Sequence, residues 1–158
     1  MGTTVQSKKM KLIAVFEIVM AIGIISFWVA FFTSDMVQLP DQRLEEIYLA
    51  FEHAFPVPDL WLSVSLIIGA IGLLKVKLFG ILFSLTGGAS LIFLGLLDIS
   101  FNTQNGMYLL TVEDAVFNGM INVACLVFGV FLISTIWKTR MSWTSFIKRS
   151  CITRFKLY

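Results

Sequence analysis

Thirty-eight consecutive residues, Leu60 to Leu97, carry only two charges, Lys75 and Lys77, placed almost at the centre of the run. As a single helix rising 1.5 Å per residue the run would reach about 57 Å, nearly twice the ~30 Å of bilayer hydrocarbon, so it must fold back. Lys75-Val76-Lys77 marks the turn. Two ammonium groups there are kept in water on the cytoplasmic side, which makes the run a membrane hairpin with both open ends outside. The segment before it must then enter from outside, and the segment after it must leave from outside.

The rest of the chain fits that frame. With 58% hydrophobic and 14% charged residues, the 158-residue chain is far more apolar than a soluble domain and reads as an integral membrane protein. Four apolar runs can span: Leu12 to Thr33, Pro58 to Val76, Leu78 to Leu97 and Val112 to Trp137. The expected fold is all-α, one domain over residues 1–158, a four-transmembrane-helix bundle. Sorting charges by side places eleven of the twelve basic residues inside, with Arg43 alone outside. Nine of the ten acids fall outside, and Glu17 alone lies within a span. By the positive-inside rule both termini are cytoplasmic and the protein is a multi-pass component of the plasma membrane.

The first span begins with a basic region but is too long for a cleaved signal and has no A-x-A-like site, so it reads as an uncleaved anchor. Neither end carries a lipidation motif. Cys125, inside the fourth span, and Cys151, in the tail, offer no disulfide framework. Trp28 and Trp61 fit an outer aromatic belt, Trp137 and Trp143 an inner one.

Between the first two spans, Pro40 opens a segment with apolar residues at Leu44, Ile47, Tyr48 and Phe51. That spacing predicts a short amphipathic helix lying at the outer surface, with Asp41, Glu45, Glu46 and Glu52 on its other face. Pro56 and Pro58 should end it, and Asp59 should cap the second span. The third span carries Ser84, Gly88, Leu91, Gly95 and Asp98 at heptad spacing, with Ile92 off that stripe. The fourth repeats the pattern with Ala115, Asn118, Asn122, Cys125 and Gly129. Small residues so spaced let membrane helices approach closely, so both stripes should face the bundle interior. Thr111 and Asp114 resemble a capping box for the fourth helix, and Asn105-Gly106 a turn before it.

Two places could carry chemistry. Glu17 is an ionisable group at membrane depth, flanked on its face by Ala14 and Ala21. Counting depth puts Ser84 and Ser134 level with it and Lys75, Lys77 or Lys138 within reach, so it is either a structural carboxylate or a proton or cation site. At the outer end Asp98, Asn118 and Asn122 can combine with Ser63, Ser65 and Asp35 as helix-binding glue or as a pocket for a cation or polar head group. His53 beside Glu52 supplies too few ligands for zinc and reads as a surface pair. No spacing provides an activated nucleophile, and no cofactor motif is present.

An acid in the first of four helices resembles the small multidrug transporters, which are shorter and lack a two-dozen-residue external segment. The claudin, tetraspanin and vitamin K epoxide reductase cysteine motifs are all absent. In topology, and in placing acids near the outer helix ends, the chain is similar to the sterol-isomerase-like four-span family, without its motif residue by residue. No family is assigned on these grounds.

The leading expectation is a non-enzymatic accessory or structural membrane protein that packs with itself or with a membrane-protein partner. The alternatives are a transporter or small-ligand or cation binder using Glu17 and the Asp98, Asn118, Asn122 group, and a membrane-embedded enzyme or binder acting on a lipid-like substrate. The partners expected are the lipid bilayer and, at the basic tail from Lys138 to Tyr158, anionic lipid. Topology alone accounts for that tail, so no nucleic acid is expected.

Overall fold

The computed structural model describes the backbone of residues 2–34, 39 and 41–155, and the side chains of residues 8–34, 39, 41–113 and 115–138. It is 90% helix, with no strand among the described residues. In order come α1 (Gly2–Thr33), α2 (Gln42–Glu52), α3 (Pro56–Leu74), α4 (Leu78–Gln104), a 3-10 turn (Met107–Leu109) and α5 (Val112–Phe155). Four segments are long and apolar enough to cross a membrane: Lys8–Thr33, Gln42–Leu74, Leu78–Gln104 and Ala115–Lys138. The two ends of the bundle are called below the turn end, at Val76, and the α2 end.

Several boundaries differ from expectation, each for a local reason. Pro56 does not end α2 but opens α3, at a position where its missing N–H costs nothing; the residue before the helix is Phe55, and Asp59 already lies in the helix, without a capping role. α2 is capped by Asp41, whose carboxylate accepts from the Arg43 N–H at 2.9 Å. α4 continues past Leu97 to Gln104, which leaves Asp98 within the helix rather than at its end. α5 does not stop at Trp137 but runs 44 residues, about 66 Å at helical rise. Gly106 forms the expected turn before it in the left-handed conformation, φ 67°. Asp35, Pro40 and the side chains of Asp114, Trp143, Cys151 and the rest of the tail lie outside what is described, and with them the capping box and the anionic-lipid surface.

The α3–α4 turn is a Schellman closure. The Lys77 N–H donates to Gly72 O at 2.8 Å and the Val76 N–H to Leu73 O at 3.2 Å. Such a closure needs a left-handed residue, normally glycine, and here Val76 fills the place with φ 54°.

Helix α1 packs on α3, α3 on α4 and α4 on α5, and no extended contact closes α1 against α5. In lipid, helices gain no hydrophobic drive to associate, so they meet where small residues allow backbones to come close. Gly72 and Gly80 touch backbone to backbone beside the turn, with no room for a Cβ on either. Gly88 and Gly129 meet between α4 and α5: a Cβ on Gly129 would lie 2.8 Å from Gly88 O. That same Cβ would lie 2.7 Å from Ile92 Cγ1, so Ile92 belongs to the contact instead of standing off it. On α1 the buried stripe is Met10, Ile13, Ala14, Glu17, Ala21 and Trp28, at helical spacing.

The amphipathic face of α2 is rotated from the expected one. Ile47 is exposed, whereas Glu52 is buried. Rings hold the helix in place: Phe51 stacks on Phe101 of α4 with centroids 3.7 Å apart and planes within 4°. Tyr48 leans on the same Phe101, and His53 sits against Phe31 and Phe32 at the end of α1.

Candidate functional site

A cavity of about 480 Å³ lies under α2, walled by α1, α3, α4 and α5. Most of its wall is apolar, from residues such as Val19, Ile24, Phe27, Leu62, Leu94 and Ile121. Its polar lining is gathered from every helix: Trp28 on α1, Tyr48 and Glu52 on α2, Asp59 on α3, Asp98 on α4, Asn118 and Asn122 on α5. The volume and the mix of apolar wall with a few convergent polar groups are those of a small-molecule pocket.

The polar groups are partly matched among themselves. The Trp28 indole N–H donates to Asp59 Oδ2 at 2.8 Å, and the Tyr48 hydroxyl donates to the Glu52 carboxylate. Asn122 Nδ2 donates to the Tyr108 hydroxyl at 2.8 Å and also faces the Asp98 carboxylate. Asn122 is 2% exposed, and its Oδ1 has no partner. Asn102, fully buried one turn beyond Asp98, presents its amide to that carboxylate, yet neither of its polar atoms reaches bonding geometry. Glu52, Asp59 and Asp98 lie within electrostatic reach of one another, and no lysine or arginine lines the cavity.

Of the residues singled out in the sequence, Asp98, Asn118 and Asn122 are thus brought together. Glu17 is not with them. It lies outside the cavity, wedged between α3 and α4 toward the turn end, fully buried, with Ser84 beside it and neither oxygen in a completed hydrogen bond. Gly69 makes room for this pair, since a Cβ there would come 3.0 Å from Glu17 Oε1 and 2.9 Å from Ser84 Oγ. Ser134, expected level with Glu17, is exposed on α5, and Lys75, Lys77 and Lys138 are exposed as well. Ser63 and Ser65 are buried with unpartnered hydroxyls but do not line the cavity.

Four cavity residues were not read as site residues in the sequence: Trp28, Tyr48, Glu52 and Asp59. Trp28, expected in the outer aromatic belt, is 9% exposed and bonded to Asp59. Glu52, expected in a surface pair with His53, is buried and lines the cavity, while the exposed His53 bonds Leu49 O through Nδ1 at 2.6 Å. The available signal was that Glu52, Asp59 and Asp98 all sit beside apolar runs on one expected side of the membrane. Among the described residues no three histidine, cysteine or acidic side chains are grouped to hold one metal ion.

Neither the curated proteins nor the solved structures contain a match to the chain. Residues 7–145 match the model of a protein family described as a domain of unknown function, DUF8058, and the chain belongs to that family.

Proposed function

We propose that this chain is a four-span plasma-membrane protein that binds a small amphipathic molecule in the cavity under α2. The observation that carries the reading is the cavity itself, with an apolar wall and a polar end assembled from all five helices. The proposed topology follows the basic residues, eleven of twelve at the turn end or in the terminal segments, which sets both termini in the cytoplasm and the α2 end outside. The broad exposed apolar surfaces of α1 and α5, including Leu12, Val19, Val123 and Val127, support a lipid-facing exterior.

A purely adhesive role for the small-residue stripes finds less support. Gly88 and Gly129 are used against each other inside one chain and are not left for a partner. Binding, by contrast, leaves the cavity something to do.

Mass spectrometry of small molecules co-purified with the protein tests the proposal. Gly23 lines the cavity and has open space where its Cβ would be, so Gly23→Leu should fill the volume from the α1 wall without disturbing the fold. A species present with wild type and depleted at least tenfold with Gly23→Leu is the expected result. Identical profiles from both proteins would remove the cavity from the function.

A further inference from the structure

We propose that the cavity selects a hydrophobic amine, admitted sideways from the bilayer between α1 and α5. The proposal rests on the ligand-binding reading above and names the chemistry of its ligand.

The polarity of the site is one-sided. The donors that can be traced at its polar end are already engaged within the protein: the Trp28 indole on Asp59, the Tyr48 hydroxyl on Glu52, and the Asn122 amide nitrogen on Tyr108 and toward Asp98. Each donates toward an oxygen of a neighbouring side chain. What these residues leave on offer is acceptor capacity, in three carboxylates and in Asn122 Oδ1, which is buried, lines the cavity and lacks a partner. A buried acceptor left empty is costly, so the occupant that completes the site is one that donates.

Charge points the same way. Glu52, Asp59 and Asp98 repel one another and no basic side chain lines the cavity. A cation relieves this. A bare metal ion fits poorly, because among the described residues the acids are not grouped for one. An alkylammonium answers both demands, with up to three N–H donors on one positive charge and an apolar body for the rest of the volume.

The way in is shown by the wall. Val19 on α1 and Phe117 on α5 line the cavity and are nevertheless 58% and 47% exposed. Gly23 on α1 and Gly119 on α5 have nothing within 4 Å of a Cβ position. α1 and α5 touch toward the turn end, where the Phe16 and Phe128 rings are 6.2 Å apart, so the open side lies nearer α2. A ligand held by its apolar part in lipid reaches the acids through that side, while α2 covers the end.

Thermal unfolding in lipid nanodiscs, with decylamine, decanol and decanoate each added at equal concentration in the membrane, tests the assignment. Decylamine should raise the Tm of wild type by about 5 °C or more at saturation, as expected for a ligand well above its Kd. Decanol and decanoate should shift it by less than a third as much. Asp98→Asn and Glu52→Gln should each remove most of the amine shift while their ligand-free Tm stays at or above that of wild type. Gly23→Leu should remove it as well. Equal shifts from amine and alcohol, both lost in Gly23→Leu, would keep the cavity as a binding site and overturn its selectivity. A shift by Ca²⁺ or Mg²⁺ with none by decylamine would overturn the amine in favour of a metal. If decylamine acts on Gly23→Leu as on wild type, or no probe acts at all, binding in the cavity itself is overturned.

Discussion

Glu17 and Gly69 show how much depends on one missing methyl group. The carboxylate of α1 reaches the α3–α4 contact only because residue 69 has no side chain, and Ser84, opposite, is fully buried. In Gly69→Ala the new Cβ would lie 3.0 Å from both Glu17 Oε1 and the Ser84 backbone nitrogen, and the second of these cannot turn away. The change should destabilise the protein by about 1–3 kcal/mol, as overpacking does, and lower the Tm by several degrees. Gly119→Ala is the control. Open space surrounds that position, so the alanine should be neutral or slightly stabilising through its better helix propensity. Thermal unfolding of the two variants in the same detergent compares them, and equal losses would mean that Gly69 is not a packing position.

Among the elements, the α3–α4 hairpin combines backbone-to-backbone packing at Gly72 and Gly80 with an unfavourable backbone conformation. Gly72 and Gly80 draw the helices together just inside the turn, and the Schellman closure then requires a left-handed residue at Val76. For a β-branched side chain that conformation costs roughly 1–2 kcal/mol, and glycine removes the cost at some expense in chain entropy. Val76→Gly should therefore stabilise the hairpin by on the order of 0.5 kcal/mol, seen as a Tm rise of about 1–2 °C. A fall in Tm would show that the left-handed turn is not the folded conformation. Element α2 is of a different kind. It is held by the Phe51–Phe101 stack and neighbouring rings and so delivers Tyr48 and Glu52 to the cavity without packing along another helix.

For the whole molecule, the proposed topology makes opposite predictions for the two ends. In a background lacking Cys125 and Cys151, cysteines placed at Glu46 and Gln104 should react with an impermeant reagent on intact cells, and one at Val76 should react only after lysis. All three positions are exposed on the protein, so failure to label reports the side of the membrane and not burial. Labelling at Val76 alone would invert the arrangement. The sequence by itself was enough to determine the four long apolar helices, the turn at Lys75-Val76-Lys77 and the small residues through which α4 and α5 meet, because length, hydropathy and heptad spacing are properties of the local chain. It also singled out Asp98, Asn118 and Asn122, which share two neighbouring helices at similar depth. The other half of the site came only from the tertiary structure. Trp28, Glu52 and Asp59 belong to three elements, and whether an acid near a helix end faces water, caps a helix or turns into a cavity depends on rotations that no local pattern sets. In α2 that rotation follows from the stacking of Phe51 on Phe101, fifty residues further along the chain, and it turns Glu52 inward while leaving Ile47 outside.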